Sequence, residues 1–116
     1  LDEKAIQAQA RVMSSPAFRS LLTHDPARTL RRVKAPVLVL AGAKDVQVAS
    51  ALNLPPIAAA LEAGGNQNYS IVKLPELNHL FQTCRTGGIE EYSTIEETFS
   101  PRALEAIAGW LERHAR

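Results

Sequence analysis

The sequence predicts an α/β fold in which two parallel strands are joined by a crossover helix and flanked by further helices. Two apolar runs, within residues 36–42 and 69–75, have the composition of strands, and the first is continuously apolar, as in a parallel strand covered on both faces. A helical spacing of apolar residues lies between them, at Leu54, Ile57, Ala58 and Leu61. A right-handed crossover between neighbouring strands makes the two strands parallel.

Residues 1–33 are predicted to be a helical segment. Asp2 to Met13 has helix-forming composition. Ser15-Pro16 and Asp25-Pro26 each supply an N-cap followed by a first-turn proline, which predicts two further helices. The first of these ends near Leu22, and the second carries Leu30 and Val33. The segment therefore consists of short helices that precede the strand, helix, strand unit of residues 36–75.

The crossover helix is expected to hold Pro55 and Pro56 in its first turn and to end at Gly64-Gly65. Residues 76–99 follow the second strand as a long irregular segment, and such segments often border sites. A terminal helix is predicted over residues 101–115, begun by Ser100-Pro101. The spacing of its apolar residues predicts a face towards the sheet that consists of Leu104, Ile107, Ala108 and Leu111. Trp110 is expected in the core as well.

Length and composition favour a single domain over residues 1–116, of which 46% are hydrophobic. The 13 basic and 12 acidic residues give a net charge of +1 without any long run of one sign, so no nucleic-acid partner is expected. No apolar stretch reaches the roughly 18 residues of a membrane span, so no membrane partner is expected. The single cysteine and the lack of clustered ligands predict no disulfide, metal or other cofactor.

Two side chains suited to proton chemistry follow the predicted strands. Asp45 comes shortly after the first strand, and His79 comes shortly after the second. The carboxyl ends of parallel strands share one edge of the sheet, so we expect both side chains in one crevice. A carboxylate accepts the Nδ1 proton of imidazole and leaves Nε2 to take a proton from a nucleophile. Asp45 and His79 are therefore the candidate catalytic residues, and they make up two thirds of a hydrolytic triad.

Around these residues the chain resembles the C-terminal portion of the α/β-hydrolase superfamily, over residues 25–111. PVLVLAGAKD at 36–45 is similar to the late strand and turn that carry the catalytic acid, and LPELNHLF at 74–81 is similar to the last strand and loop that carry the histidine. The segments at 43–48, 78–83, 95–98 and 100–101 resemble those of bacterial serine hydrolases of the esterase or prolyl-oligopeptidase-like type. The resemblance implies that Asp45 and His79 act in hydrolysis of a small-molecule ester or related acyl substrate.

The nucleophile of such a triad is not recognisable. In the superfamily it precedes the acid and the histidine, in a Gly-x-Ser-x-Gly turn that does not occur here. The serines present have local interpretations as caps, turns or strand positions; they are residues 14, 15, 20, 50, 70, 93 and 100. The chain also starts with neither an initiator Met nor a signal-peptide pattern. We therefore expect a fragment of a serine hydrolase that is inactive alone, in a compartment that the sequence leaves open.

Other side chains have simpler explanations. Asp45 alone is a common turn residue and His79 alone is a typical half-buried histidine, so it is the pair that favours catalysis. Cys84 is an alternative nucleophile, but no helix start follows it to lower its pKa. Glu76, Glu96 and Glu97 are alternative acids, but Glu76 lies on the same loop as His79, and the other two precede a helix cap and are expected to be solvated or to contact the dipole of a helix N-terminus. His24 and His114 flank helix ends and are expected to be solvated charges near a helix C-terminus.

A non-catalytic α/β module that self-associates is the alternative function. Without a preceding strand, the strand at 37–40 has an unpaired apolar edge, and such edges tend to pair with another chain. Pairing of two such edges antiparallel joins two short sheets into one and enlarges a small core. We therefore expect a homodimer or a higher homo-oligomer.

Overall fold

The structure is a computed structural model that describes residues 2–114. It combines helices with a two-stranded parallel sheet, so the described part of the chain is α/β. The elements are α1 (Glu3–Met13), α2 (Pro16–Thr23), α3 (Pro26–Leu30), β1 (Val37–Gly42), α4 (Ser50–Ala63), β2 (Tyr69–Leu74), a 3-10 turn (Ile89–Glu91) and α5 (Pro101–His114). The order agrees with the sequence prediction; Leu1 and Ala115, at the ends of the predicted helical segments, lie outside the described residues.

The two strands run parallel with α4 as the crossover between them. Val37 lies opposite Tyr69 at the start of the pair, and Gly42 lies opposite Leu74 at its end. The strands therefore end side by side, and the segments that follow them leave the sheet at the same edge. This register places the turn after β1 next to the loop after β2.

The three N-terminal helices begin where the capping residues predict. The side chain of Asp2 accepts a hydrogen bond from Lys4 N, and Ser15 Oγ accepts one from Phe18 N at 3.2 Å. Asp25 Oδ1 accepts from Ala27 N at 3.0 Å. These bonds satisfy first-turn N–H groups that have no partner within a helix. α3 is shorter than predicted, because it ends before Val33.

The crossover helix differs from the prediction at its start. α4 begins at Ser50, so Pro55 and Pro56 lie inside the helix and the prediction that they occupy its first turn is wrong. A proline has no N–H to donate to the carbonyl four residues earlier, and the residues that carry these two carbonyls, at 51 and 52, are exposed to water. The predicted inner face is confirmed, because Leu61 is fully buried and Leu54, Ile57 and Ala58 are half-buried.

The inward face of α5 also differs from the prediction. Ala103 is fully buried, whereas Leu104 and Leu111 are 55% and 52% exposed. Trp110 is half-buried and its Nε1 donates a hydrogen bond to Ser70 Oγ of β2 at 3.2 Å. The small side chain of Ala103 allows close approach to the core, and together with the Trp110 bond it sets the rotation of the helix. Ile107 is half-buried as predicted, but Leu104, Ala108 and Leu111 form an exposed apolar stripe.

The core is small for a chain of this length. The buried apolar side chains among the described residues are Ala60, Leu61, Leu74, Leu77 and Ala103. The radius of gyration is 17.7 Å, compared with about 13 Å for a compact domain of this length. All residues of α1 are exposed, including Val12 and Met13. Much of the apolar surface of the helices therefore lies outside the core.

Candidate active site

The turn that carries Asp45 is fastened to the end of β2 and to the loop that follows it. Ala43 N donates a hydrogen bond to Leu74 O at 2.8 Å, and Lys44 N donates one to Leu77 O at 3.0 Å. A Cβ atom on Gly42 would lie only 2.4 Å from Leu77 O, so glycine permits the approach of the two segments. The two predicted site segments are therefore in direct contact.

Asp45 and His79 form the hydrogen-bonded pair that the sequence predicts. Nδ1 of His79 lies 2.9 Å from Oδ2 of Asp45. Oδ1 of Asp45 accepts hydrogen bonds from Gln47 N at 2.9 Å and Val48 N at 2.8 Å. The Asp45 side chain is 8% exposed, whereas that of His79 is 38% exposed. The carboxylate is thus held beneath the imidazole, and part of the imidazole is open to a reactant.

The surroundings of Asp45 favour its ionised form. Burial of the carboxylate raises its pKa, but the hydrogen bonds from Val48 N, His79 and Gln47 N, together with the charge of His79 when protonated, lower it by more. The net result is a pKa for Asp45 below its ordinary value. A carboxylate in this position accepts the Nδ1 proton, which leaves Nε2 of the neutral ring as the proton acceptor.

A cavity of about 190 Å³ lies beside the pair. It extends along β1 and α4 and is mainly apolar, with Ser50 and Asn53 as its polar residues besides the pair itself. The remaining lining residues are Val39, Leu40, Ala41, Val48, Leu54, Ile57 and Phe81. Ser50 is buried in the first turn of α4, and its sequence context as a local structural serine gave no sign that it lines the same cavity as His79.

The loop around His79 is organised by two amide side chains that sequence reasoning missed as parts of the site. Asn78 is fully buried and Gln82 is 9% exposed, and they hydrogen-bond to each other at 3.1 Å between Asn78 Nδ2 and Gln82 Oε1. The only signal in the sequence is the presence of an amide directly before the histidine and another three residues after it. That spacing does not reveal that both side chains fold into the loop.

Cys84 has a position unsuited to a nucleophile. Its Sγ lies 3.3 Å from Glu76 O, and its carbonyl accepts a hydrogen bond from Lys44 Nζ at 3.1 Å. Burial raises the pKa of the thiol, the nearby Lys44 ammonium lowers it by less, and the net pKa is above the ordinary value. The thiol is therefore poorly ionised at neutral pH, in agreement with the minor weight that the sequence gives to a cysteine hydrolase.

The other acids and histidines that the sequence singles out contact neighbouring groups or face solvent. Glu76 lies 3.5 Å from Lys44 Nζ, and the Glu97 carboxylate accepts a hydrogen bond from Thr83 N. Glu96 and His24 are exposed. His114 lies in the last turn of α5, as predicted, but it is half-buried against the Trp110 ring, with 4.2 Å between ring centroids, and is not solvated.

Comparison of the chain with known protein families, with curated proteins and with solved structures finds no match. None of the helices within residues 2–114 has the length and apolar content needed to cross a membrane. Across the same residues, no group of three or more His, Cys, Asp or Glu side chains is arranged to hold a metal ion. The interpretation of the site therefore depends on its own geometry.

Proposed function

We propose that this chain is the C-terminal part of an α/β-hydrolase-type serine hydrolase, and that it supplies the acid and the histidine of a catalytic triad. The observation that carries the proposal is the 2.9 Å contact between His79 Nδ1 and Asp45 Oδ2 at the carboxyl edge of a parallel sheet. The second carboxylate oxygen is held by two backbone N–H groups, so Asp45 has one oxygen free to orient the ring. The substrate class is an ester or a related acyl compound.

The proposed chemistry is acyl transfer to a serine followed by hydrolysis. Nε2 of His79 takes the proton from the serine hydroxyl as its oxygen bonds to the acyl carbon, and Asp45 stabilises the resulting imidazolium. Nε2 then returns the proton to the leaving alkoxide as the ester bond breaks. In the second half-reaction the same nitrogen deprotonates water, which attacks the acyl-enzyme, and then protonates the serine oxygen. Proton transfer of this kind contributes about 10² to 10⁴ in rate.

The serine and the oxyanion donors are proposed to lie in polypeptide beyond these 116 residues. Two features support this proposal. The core contains few apolar residues, and the helices expose large apolar side chains, among them Leu21, Leu22 and Leu52, which are 70%, 69% and 76% exposed. Surfaces of this kind are normally covered by another layer of structure. The chain alone is therefore expected to bind no substrate productively and to be inactive.

A fluorophosphonate probe, which reacts with activated serines, tests this function. The two samples are the 116-residue chain and the longest gene product that contains it. We expect labelling of the longer protein only, and loss of labelling in its His79→Ala variant. A matched control is His24→Ala, because His24 is exposed and distant in sequence from the pair. Labelling of the short chain, or full labelling of the His79→Ala variant, would contradict the proposal.

Self-association through β1 is the second candidate function, and the free edge of the sheet favours it. Within residues 2–114, β1 pairs with β2 on one side only. Val37 N donates to Asn68 O and Ala43 N to Leu74 O, so the alternating residues Leu38 and Leu40 direct their N–H groups away from β2. A second copy that pairs along this edge would satisfy those groups. Absence of fluorophosphonate labelling in both samples, together with a sedimentation coefficient of the chain that rises with its concentration, would favour self-association over hydrolysis.

A further inference from the structure

We infer that Asn78 is a positioning residue, which holds the His79 loop in the conformation that keeps Nδ1 against Asp45. His79 lies in a tight turn closed by a hydrogen bond from Phe81 N to Asn78 O at 3.1 Å. The chain then returns antiparallel to itself, with Leu77 bridged to Thr83. The histidine is thus at the tip of a short loop, and its position depends on what fills the inside of that loop.

The inside of the loop is filled by the Asn78 side chain. Oδ1 of Asn78 accepts hydrogen bonds from Leu80 N at 3.0 Å and from Gln82 N at 2.9 Å. Because backbone N–H groups only donate, these two bonds determine which end of the amide is the oxygen. Nδ2 then points to Gln82 Oε1 at 3.1 Å. A fully buried amide whose oxygen accepts two backbone N–H bonds across the histidine fixes the path of the turn.

Gln82 connects this network to the entry of α5. Its Nε2 donates to Glu97 O at 2.9 Å, and a carbonyl only accepts, so Oε1 is the atom that faces Asn78. Neither amide can rotate by half a turn without placing two donors or two acceptors together. Ser100 N adds a bond to Phe81 O at 2.8 Å. The loop is therefore connected to Glu97 and to Ser100, the residue before α5, by hydrogen bonds that each have only one possible assignment of donor and acceptor.

The turn requires such support because its backbone is strained. Phe81 has φ of 57°, a left-handed conformation that is costly for a bulky aromatic residue. The strain persists only where the surroundings hold it, and here the Asn78 and Ser100 contacts and the packing of Phe81 on Phe99, at 5.5 Å between ring centroids, do so. Loss of the Asn78 side chain is expected to release the turn and to move His79 away from Asp45.

The inference deepens the proposed function and rests on it for its catalytic consequence, but its direct test does not require activity. The 116-residue chain labelled with ¹⁵N at histidine is compared with its Asn78→Ala variant by NMR. We expect the wild-type His79 ring to show Nδ1–H with a slowly exchanging proton. In the variant we expect mixed tautomers and about tenfold faster exchange, the equivalent of one lost buried hydrogen bond.

Asn66→Ala is the matched control. Asn66 is also buried, at 4% exposure, and its side chain makes three hydrogen bonds, to Val33 O, Ala35 O and Asn68 N. These contacts lie at the opposite end of the sheet, so this variant is expected to lose similar stability without a change in the His79 ring signals. A His79 ring that is equally disturbed in both variants, or undisturbed in Asn78→Ala, would overturn the inference.

Gln82→Met provides a second variant in case Asn78→Ala does not fold. It retains the two backbone bonds to Asn78 Oδ1 but removes the acceptor of Asn78 Nδ2 as well as the connection to Glu97. Partial loss of the Nδ1–H signal is therefore expected, and unchanged ring signals would overturn the inference. In the longer gene product, Asn78→Ala is expected to lower kcat by about a hundredfold with KM unchanged. An inactive longer protein with wild-type ring behaviour intact would refute the proposed hydrolase and not the positioning role.

Discussion

His79 Nδ1 lies 2.9 Å from Asp45 Oδ2, although 34 positions separate the two residues along the chain. The contact exists because β1 and β2 are parallel and end side by side, so that each residue leaves the sheet at the same edge. Asp45 is further held by two backbone N–H groups of its own turn. The pair is therefore a product of sheet topology and of local turn geometry together.

Asp45→Asn is expected to change the pH dependence of stability. Because the folded-state pKa of Asp45 is lowered, the ionised carboxylate stabilises the fold above the ordinary aspartate pKa, and this contribution is lost as pH falls through the lowered value. The wild-type chain should therefore have the larger free energy of unfolding at neutral pH, with the difference disappearing in strong acid. Urea denaturation at several pH values measures it. A difference that is constant with pH would contradict the prediction.

Gly42→Ala is expected to disrupt the site by steric means alone. The Cβ of an alanine at position 42 would lie 2.4 Å from Leu77 O and 2.5 Å from Asn78 O, so the loop that carries His79 must move. We expect a loss of about 3 kcal/mol in the free energy of unfolding, the upper end for overpacking, and weakening of the His79–Asp45 bond.

Gly109→Ala in α5 is the matched control for that change. Its Cβ would meet only the flexible end of Arg113, at 3.5 Å, and alanine is the better helix former, so a gain of up to about 1 kcal/mol is expected. Thermal denaturation of both variants checks the pair of predictions. Equal stability of the two variants would show that Gly42 does not control the contact between the loops.

Cys84 is expected to react slowly with iodoacetamide at neutral pH, because burial raises the pKa of its thiol. The alkylation rate should rise only above the ordinary pKa of cysteine, and it should be the same in a His79→Ala variant. Mass spectrometry of timed samples measures the rate. Rapid alkylation at neutral pH that depends on His79 would instead indicate a cysteine and histidine pair.

Leu38→Pro is expected to prevent association along β1 while the fold is retained. The Leu38 N–H points away from β2, and proline is tolerated on the open edge of a strand. Val39→Pro is the contrasting variant, because it removes an N–H that faces β2 and should destabilise the sheet itself. Sedimentation velocity with circular dichroism distinguishes the two outcomes. An unchanged oligomeric state in a folded Leu38→Pro variant would exclude this edge as the interface.

The structural features that could be predicted from the sequence were those in which one residue acts on its immediate neighbours. Asp2, Ser15 and Asp25 are N-caps because their side chains reach N–H groups two or three residues ahead. The continuous apolar run at 37–40 likewise predicted a strand, although residues 37–41 of β1 are half-buried and not covered on both faces as expected. From these signals the element order and the shared edge for Asp45 and His79 followed, since parallel strands leave few alternatives.

Features that depend on distant packing were predicted less well. The spacing in α5 is equally consistent with several rotations of the helix, and the choice was made by the fit of Ala103 into the core and by the bond from Trp110 to Ser70. The start of α4 was placed too late because prolines are usually confined to the first turn. In both cases contacts from other elements override a local preference.

The amino-acid sequence therefore specified the helices and strands, their order along the chain and the two residues that follow the strands. It could do so because N-caps and apolar runs are local properties of the chain. The fully buried Asn78, its bonds across the His79 turn and the close approach at Gly42 were decided by the folded chain alone. Their physical basis is that hydrogen bonds between residues brought together by folding depend on the path of the backbone, which no spacing of residue types encodes.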